Sequence, residues 1–470
     1  IKENYMFVGR QRELNKLESM YSSAQFELAV FYGRRRVGKT TLINEFCRDK
    51  ETIFFVASEA TGQENLKQFS KAVFQTVNPN APSPSFSSYD ELLTYIDGIC
   101  MERRLILVID EYPYLASSYK AISSLLQAHI DHSWQNSQLF LILCGSSMSF
   151  MEHQVLGYQS PLYGRRTAQF KIHPFTFFET RAMCPSFSSE EQAILYGITG
   201  GIPEYISRIS SKLTLDENIV ELFFTESGRL YEEPSNLLKQ ELRDPSTYNS
   251  VIGAIAGGAS KMNEIATKAG IETGAASNLL QALIELGIVR KEVPITEKES
   301  SRKTIYLLED QMFRFWYRFV SPNISGIVRG IGSIIYEKQV KPQLNHYMGL
   351  VFEEICRQYL YLPQIIAEAP FIYSKSGRWW GNNPVEKRQE EIDIAAIDDD
   401  NILLGECKWQ NAPVGCDVLN DLLAQGSLFY MEKKWYYIFA KDSFTQDCIA
   451  KAAQSRHIFL ISFRDMIETI

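Results

Sequence analysis

The chain has 470 residues, and because domains usually hold about 100–200 residues, its length predicts roughly three domains. Hydrophobic residues make up 45% of the sequence and charged residues 22%, which argues against a disordered or fibrous protein. The formal net charge of −8 disfavours a general polyanion-binding protein. No apolar run reaches the roughly 18 residues of a membrane span, and no signal-peptide pattern begins the sequence. We therefore expect a cytoplasmic protein with no membrane partner.

The cysteines and histidines give no sign of a metal or disulfide framework. The eight cysteines form no C-x-x-C pair, and the six histidines are scattered without the spacing of metal ligands. Several cysteines lie inside apolar runs, where a buried thiol behaves as a small hydrophobic group. The sequence therefore predicts reduced thiols and no structural zinc.

The first part of the chain alternates short apolar runs with helical patterns. Apolar runs of this length predict buried strands, and the segments between them predict helices. Such an alternation is typical of a parallel α/β sheet. The predicted strands are residues 28–32, 52–57, 105–109 and 139–144, and the predicted helices include 40–48, 64–76 and 89–102.

A glycine-rich segment follows the first predicted strand and precedes a predicted helix. Residues 33–40 match G-x-x-x-x-G-K-[ST], a pattern in which backbone N–H groups and the start of a helix surround phosphate oxygens. Lys39 is expected to neutralise the β- and γ-phosphate charge of ATP, and Thr40 to bind Mg²⁺. The residues expected to hold the nucleotide are Gly33, Arg34, Arg35, Arg36, Val37, Gly38, Lys39, Thr40 and Thr41.

Two carboxylates, Asp110 and Glu111, follow the apolar run of residues 105–109. The carboxyl ends of parallel strands face the ligand in such sheets, so both groups are expected beside the glycine-rich loop. Asp110 is predicted to bind Mg²⁺, and Glu111 to act as the base that orients the attacking water. ATP and Mg²⁺ are therefore the predicted cofactors.

The segment before the glycine-rich loop resembles the start of the AAA+-type ATPases. Residues 7–14 look like the lead-in whose main chain holds the adenine ring in that family. The resemblance implies that Val8 and Gly9 help to bind the nucleotide. Residues 196–203 carry a glycine–proline pattern that is similar to the helical lid of the archaeal-type ATPases of the STAND branch.

Two polar segments resemble the phosphate-sensing parts of the same ATPases. Ser146 follows the apolar run of residues 139–144 and resembles a polar sensor of the γ-phosphate. Residues 160–166 resemble the segment that carries a basic phosphate-binding residue. The pattern leaves Arg165 and Arg166 both open, with Arg166 as the catalytic candidate. Because such a residue acts across subunits in some ATPases, the resemblance allows a homo-oligomer.

The helical patterns place further domains after the ATPase core. We expect the core to comprise residues 1–187 and a helical lid to comprise residues 188–245. Residues 246–310 contain three helical patterns and then a strand pair, which is the order of a winged helix. Residues 311–343 form a predicted helical connector. The winged-helix patterns are residues 251–256, 262–269 and 275–286, with strands at 288–293 and 304–308.

The charge of the winged-helix region bears on its partner. Residues 241–310 hold eight Lys/Arg and ten Asp/Glu, which opposes binding to a phosphate backbone. The expected recognition helix, residues 275–286, contains no basic residue. A protein partner and specific DNA recognition therefore both stay open. The connector is locally basic and aromatic at residues 312–317, a pattern that fits either a phosphate backbone or a packed core.

A second group of candidate catalytic residues lies near the C-terminus. Asp393 and Glu406 lie on two predicted strands, thirteen residues apart, so an antiparallel pair of strands can bring their carboxylates together. Lys408 alternates onto the same face as Glu406. Two carboxylates would bind Mg²⁺, and the lysine would position water. Glu353, on a predicted helix, is expected to complete the metal site.

This pattern resembles the PD-(D/E)XK nuclease fold, and more closely the uncharacterised domain that ends many archaeal-type ATPases. The resemblance covers residues 344–470 and implies that Asp393, Glu406 and Lys408 are catalytic, with Glu353, Asp393 and Glu406 as metal ligands. The sequence departs from the pattern because no proline precedes Asp393. Residues 351–470 are also acidic, with twelve Lys/Arg against eighteen Asp/Glu.

Together, the motifs predict an α/β multidomain ATPase whose nucleotide cycle is coupled to a nuclease-like domain that acts on or binds nucleic acid. The first alternative is a nucleotide-gated regulatory or scaffold protein in which the nuclease-like domain is inactive. The second is a winged-helix transcriptional regulator. Cleavage of DNA or RNA distinguishes the first two hypotheses, and a specific DNA footprint is what the third predicts.

Overall fold

A computed structural model describes residues 7–79, 84–242, 244–384 and 386–469 of the chain. Its contacts divide into two compact units, Ile1–Phe175 with Ile202–Glu204, and Thr176–Gly201 with Tyr205–Ile470. Residues 1–6 of the predicted ATPase core and residue 470 of the predicted C-terminal domain lie outside the described residues. Each unit contains a five-stranded sheet.

The first unit is built on a parallel sheet, which confirms the prediction from the alternating patterns. Its strands are β1 (Glu27–Tyr32), β2 (Thr52–Val56), β3 (Leu105–Asp110), β4 (Leu139–Gly145) and β5 (Ala168–Lys171). They lie in the order β2-β3-β4-β1-β5, and every neighbouring pair is parallel. All residues of β3 and β4 are buried, which explains their nearly unbroken apolar sequences. The four-residue edge strand β5 was not predicted, because only one of its residues is buried.

Helices connect these strands, and the strand order brings the carboxyl ends of β1, β3 and β4 side by side. Thr61 and Ser88 cap two of the helices by accepting hydrogen bonds from the backbone N–H groups of Glu64 and Glu91. The helices are α1 (Gln11–Ser22), α2 (Lys39–Cys47), α3 (Gly62–Val77), α4 (Tyr89–Glu102), α5 (Tyr112–Ser118), α6 (Ile122–His132) and α7 (Met148–Phe150).

The residues after the first sheet are helical, as the sequence pattern indicates. They form α8 (Phe177–Met183), α9 (Ser189–Thr199), α10 (Pro203–Ile206), α11 (Leu215–Phe223) and α12 (Glu233–Glu241). Thr176, Ser188 and Thr214 each begin a helix through a capping box, in which side chain and backbone of two residues bond reciprocally. Local capping therefore sets these boundaries.

Three helices and an antiparallel hairpin follow, in the order that the sequence predicts. They are α13 (Pro245–Ala256), α14 (Met262–Ala269), α15 (Thr273–Glu285), β6 (Val289–Glu292) and β7 (Ile305–Leu308). Gly270 ends α14 with a left-handed φ of 69°, a conformation that favours glycine. Glycine at this position therefore lets the chain turn from α14 toward α15 without strain.

The connecting region folds as α16 (Gln311–Phe315), α17 (Ile324–Val328), α18 (Gly332–Ile335), α19 (Lys341–Leu360) and α20 (Pro363–Glu368). Phe313 and Phe315 are fully buried, and Trp316 donates a buried hydrogen bond of 2.6 Å to the Tyr231 carbonyl. The aromatic residues of this segment therefore form core contacts, not an exposed phosphate-binding surface.

The C-terminal sheet combines antiparallel and parallel strands. Its strands are β8 (Lys375–Asn383), β9 (Arg388–Ile397), β10 (Asn401–Lys408), β11 (Lys433–Ala440) and β12 (Ile458–Ser462). They lie in the order β12-β11-β10-β9-β8, antiparallel from β8 to β10 and parallel from β10 to β12. The accompanying helices are α21 (Cys416–Gln425), α22 (Gln446–Ala452) and α23 (Phe463–Glu468). The sequence did not predict β8.

All eight cysteines fall within the described residues, and each is a free thiol. Burial raises the pKa of the Cys47 and Cys100 thiols to about 11, which keeps them protonated at neutral pH. Among the described residues, none of the helices combines the length and apolar composition that a bilayer crossing requires.

Candidate functional site

The glycine-rich loop connects β1 to α2 at the carboxyl edge of the first sheet. Gly33 has a φ of 148°, and a Cβ built there would lie 2.3 Å from the Ile172 carbonyl oxygen. Gly38 caps α2 with a φ of 89°. Arg36 also has a positive φ, 71°, which is unusual for a residue with a side chain. The loop therefore needs glycine at its two ends, and its backbone curls as a phosphate-binding loop does.

Lys39 turns back over this loop. Its Nζ atom donates hydrogen bonds of 2.8 Å to the Gly33 carbonyl and 2.9 Å to the Arg34 carbonyl. Burial lowers the pKa of Lys39, while the charges of Asp110 and Glu111 oppose that shift. The amine is therefore desolvated and held by neutral carbonyl groups, which a phosphate could replace with a charged partner.

Thr40 and Asp110 meet where a Mg²⁺ ion is expected. The Thr40 hydroxyl donates a hydrogen bond of 2.7 Å to Asp110 Oδ2, and the second carboxylate oxygen accepts one of 2.9 Å from the Glu111 backbone. Thr40 is exposed and Asp110 is buried, so the pair opens toward solvent from the side of the hydroxyl. A hydroxyl and a carboxylate are hard oxygen ligands, which is the chemistry that Mg²⁺ prefers.

Glu111 is fixed in a strained position beside this pair. Its φ of 51° lies in the left-handed region, at the start of α5. The Ser146 hydroxyl lies 2.9 Å and 3.2 Å from its two carboxylate oxygens. The structure therefore brings together Glu111 and the serine that the sequence predicts as a phosphate sensor.

The two candidate arginines have different surroundings. Arg165 makes a two-pronged ion pair with Asp131, with distances of 2.7 Å from Nε and 2.6 Å from Nη2. That bond raises the pKa of Arg165 and lowers that of Asp131. Burial raises the pKa of Tyr32, the last residue of β1, and the charges of Lys171 and, more weakly, Arg166 oppose that shift. Arg165 is therefore held by an acidic partner, whereas the charge of Arg166 acts on the hydroxyl at the end of β1, the strand that leads into the glycine-rich loop.

Sequence reasoning missed Arg10 in the lead-in segment. Its buried guanidinium donates to the Val37 carbonyl at 3.4 Å and to the His173 carbonyl, and it lies 4.6 Å from the ring centre of Phe175. Gly9 and Arg10 both have positive φ, 73° and 61°. This kink holds the lead-in, with Val8 and Gly9, against the glycine-rich loop. A Gly-Arg pair before the loop is the signal that the sequence offers.

A second group of polar residues occupies the C-terminal sheet. Asp393 on β9 accepts a hydrogen bond of 2.9 Å from the Cys407 backbone on β10. Lys408 donates a hydrogen bond of 2.6 Å to Glu406, two residues before it on β10. The antiparallel pairing of β9 and β10 therefore brings these three residues together, as their spacing predicts.

The carboxylates in this group influence one another. Burial, and then the charge of Asp393, raise the pKa of Glu353 on α19 to about 7. The same two causes raise the pKa of Glu406 to about 7. Burial also raises the pKa of Asp393 itself. We call Glu353, Asp393, Glu406 and Lys408 the carboxylate cluster. Its negative charge is closely packed and only partly balanced.

The residues of the carboxylate cluster are close, but they do not form a ready metal site. Within the described ranges, no group of three or more His, Cys, Asp or Glu residues is arranged to hold a metal ion. Arg378 on β8, which sequence reasoning missed, lies 3.7 Å from Glu353. A guanidinium therefore supplies positive charge where the sequence predicts a cation.

The comparisons with known proteins give the chain its family. Residues 7–209 match an ATPase domain found predominantly in Archaea. An uncharacterised protein of Methanocaldococcus jannaschii is 33% identical over 410 residues, which are 86% of this chain and 88% of the relative. The chain belongs to the archaeal ATPase family. An uncharacterised ATP-binding protein of the same archaeon is 48% identical over 46 residues, 10% of this chain and 78% of that protein.

Further matches of this archaeal ATPase family member concern its fold and its C-terminal part. A Walker-type ATPase of Pyrococcus abyssi aligns with a TM-score of 0.52 at 20% identity, over 66% of this chain and 96% of that structure. It shares the fold. Residues 316–420 match archaeal and bacterial proteins of unknown function. Family membership thus supports ATP binding and hydrolysis, and it assigns no activity to the C-terminal part.

Proposed function

We propose that this protein is a Mg²⁺-dependent ATPase whose nucleotide state controls a nuclease-like C-terminal domain that acts on or binds nucleic acid. The observation that carries the first half is the convergence of Lys39, the Thr40–Asp110 pair and Glu111 at one sheet edge. Lys39 would exchange its carbonyl partners for phosphate oxygens. Thr40 and Asp110 would hold Mg²⁺, which neutralises phosphate charge when it is bound.

Glu111 would act as the base for the attacking water, and Ser146 would set the direction of its carboxylate. Arg165 is bound to Asp131, so Arg166 is the better candidate for a phosphate contact. Val8 and Gly9 would lie against the adenine, since Arg10 fixes that segment on the loop. A contact from Arg166 to a neighbouring subunit would require a homo-oligomer.

Turnover of Mg²⁺-ATP by the purified protein tests this assignment. Lys39→Ala is expected to reduce kcat/KM at least about 100-fold, because the phosphate charge loses its buried cation. Lys67→Ala, an exposed lysine on α3, is the matched control and should leave turnover unchanged. Full activity in Lys39→Ala would contradict the assignment of the glycine-rich loop as the ATP-hydrolysing site.

The second half of the proposal rests on the carboxylate cluster. Asp393 and Glu406 lie on neighbouring antiparallel strands with Lys408, an arrangement that suits hydrolysis of a phosphodiester. Incubation with labelled single- and double-stranded DNA and RNA in Mg²⁺ or Mn²⁺ tests for cleavage. We expect cleavage to be lost in Asp393→Ala and in Lys408→Ala, and kept in the exposed control Asp442→Ala. Cleavage that survives both changes would come from a contaminant.

A specific observation favours one alternative, a nucleotide-gated regulatory protein with an inactive nuclease-like domain. Arg378 already lies beside Glu353, and the described residues contain no ready metal site. An absence of cleavage by the wild-type protein, together with normal ATP turnover, would support this alternative.

The transcriptional regulator is less well supported. The three helices and hairpin have winged-helix order. The residues between β6 and β7, 293–304, which we call the hairpin segment, contact the C-terminal sheet of the same unit, because the Ile295 amide donates a hydrogen bond of 3.0 Å to the Arg378 carbonyl on β8. In the described range of α15, no lysine or arginine is available for base or phosphate contacts. We therefore propose that this module serves protein contacts.

A further inference from the structure

Arg378 is a buried cation between two parts of the second unit. Its side chain is 9% exposed and lies on β8, beside three carboxylates. Its guanidinium is 3.7 Å from Glu353 on α19 and 3.7 Å from Glu292 on β6, and it also contacts Glu391 on β9. Such a residue is costly to bury unless several negative groups surround it. The three carboxylates therefore offset the cost of burying the Arg378 charge.

The segment after β6 holds the backbone of β8 at this residue. The Ile295 amide donates to the Arg378 carbonyl at 3.0 Å, and Lys375 Nζ donates to the Ile295 carbonyl at 2.8 Å. The Ile295 side chain is 2% exposed and belongs to the hydrophobic core of the C-terminal sheet. A movement of the hairpin segment would therefore move β8 at Arg378.

Arg378 and Lys408 lie beside different carboxylates of the carboxylate cluster. Lys408 Nζ donates its hydrogen bond of 2.6 Å to Glu406 Oε1. Arg378 faces Glu353, and its charge also acts on Asp393. The nearest atoms of Arg378 and Glu353 are Nε and Oε2, and neither has a hydrogen-bond partner among the described residues. They attract each other by charge at 3.7 Å, so withdrawal of the guanidinium would break no hydrogen bond to Glu353. It would break the hydrogen bond that Arg378 Nη2 donates to Glu391, which is the bond that holds the side chain in place.

We infer that Arg378 is the resident cation of the carboxylate cluster, that the hairpin segment positions it there, and that the cluster binds a divalent cation only when Arg378 is drawn away. This inference rests on the proposed function, because it concerns the cation site of the nuclease-like domain. In this inference Arg378 acts through the carboxylates and does not itself contact a substrate. The hairpin segment then gates the site by holding or releasing one positive charge.

Binding of Mn²⁺ to the full-length, nucleotide-free protein tests the inference, with free Mn²⁺ measured by electron paramagnetic resonance. Arg378→Met removes the charge and keeps a flexible side chain of similar length. We expect it to bind Mn²⁺ at least about tenfold more tightly than the wild type, because the carboxylates lose their internal cation. The gain should disappear in the double variant with Asp393→Ala. Arg388→Met, an exposed arginine paired with Glu390, is the matched control and should bind as the wild type does.

A second variant keeps Arg378 and disturbs its anchor. Ile295→Ala is expected to raise Mn²⁺ affinity about threefold, whereas Leu419→Ala, another buried residue of the same core, should leave it unchanged. This comparison decides the matter if Arg378→Met does not fold.

The negative outcomes are distinguishable. Equal Mn²⁺ affinity in the wild type, Arg378→Met and Ile295→Ala, lost in Asp393→Ala, would overturn the inference and leave the proposed cation site standing. No Mn²⁺ binding by any of these proteins would overturn the inference and the C-terminal half of the proposed function together. Neither result would affect the ATPase assignment, which is measured separately.

Discussion

Glu111 has its backbone held in a left-handed turn and its carboxylate held by the Ser146 hydroxyl. If Glu111 directs the attacking water, a loss of this hydroxyl leaves the carboxylate free to adopt other rotamers. We therefore expect Ser146→Ala to lower kcat about tenfold and to leave KM for ATP almost unchanged. Steady-state kinetics with Mg²⁺-ATP measures both constants.

Ser147→Ala is the neighbouring control for this prediction, because Ser147 lies beside the same strand end without a described bond to Glu111. A rise in KM with an unchanged kcat in Ser146→Ala would instead mean that Ser146 contributes to nucleotide binding and not to the positioning of the base.

At the scale of an element, the loop between β1 and α2 depends on the space around Gly33. A methyl group at this position would come within 2.3 Å of the Ile172 carbonyl oxygen, so the loop must move outward. Gly33→Ala is expected to weaken binding of a fluorescent ATP analogue at least about tenfold, because the loop loses its phosphate-binding curl. Gly98→Ala on α4 meets open space and should bind normally.

The raised pKa of Glu406, on β10, predicts that the stability of the protein depends on pH. Burial raises the pKa of Glu406 from its ordinary value of 4.5 to about 7, so the folded state binds more protons than the unfolded state between these values. Stability from this group is present below the ordinary pKa and is lost as pH rises toward 7. The unfolding free energy of the wild type should thus fall between pH 5 and pH 8 by at least about 1 kcal/mol more than that of Glu406→Gln.

Denaturant unfolding in the presence of a chelator measures this difference. Asp442→Gln, which changes an exposed acid of the same sheet domain, is the control and should keep the wild-type slope. Parallel pH curves for the wild type and Glu406→Gln would contradict the raised pKa.

At the scale of the whole molecule, the glycine-rich loop and the carboxylate cluster belong to different compact units. A ligand that binds only the folded state stabilises it by about 2.7 kcal/mol at a hundredfold excess over Kd. A slowly hydrolysed ATP analogue with Mg²⁺ should therefore raise the unfolding temperature of the wild type and of Asp393→Ala, but not of Lys39→Ala. Scanning calorimetry tests this expectation, and an equal shift in all three proteins would contradict it.

The sequence predicts the residues whose chemistry depends on the local chain. The strand–loop–helix around Lys39 and the β9–β10 pairing of Asp393 with Glu406 are local, so spacing and periodicity suffice to place them. Arg10 and Arg378 could not be found in this way. Each has a partner far along the chain, since Arg10 contacts His173, 163 residues away, and Arg378 contacts Glu292, 86 residues away, and no periodic pattern encodes those contacts. The strands β5 and β8 were not predicted either, because neither contains a continuous run of buried apolar residues.

The position of Ile295 has a consequence for how this chain can be divided. A cut at residue 311 or 344, where the sequence patterns change, would leave the C-terminal sheet without a side chain that fills its core. Exposed apolar surface of that kind promotes aggregation. A fragment designed to carry the C-terminal sheet alone would thus need to begin before Ile295 and include the segment between β6 and β7.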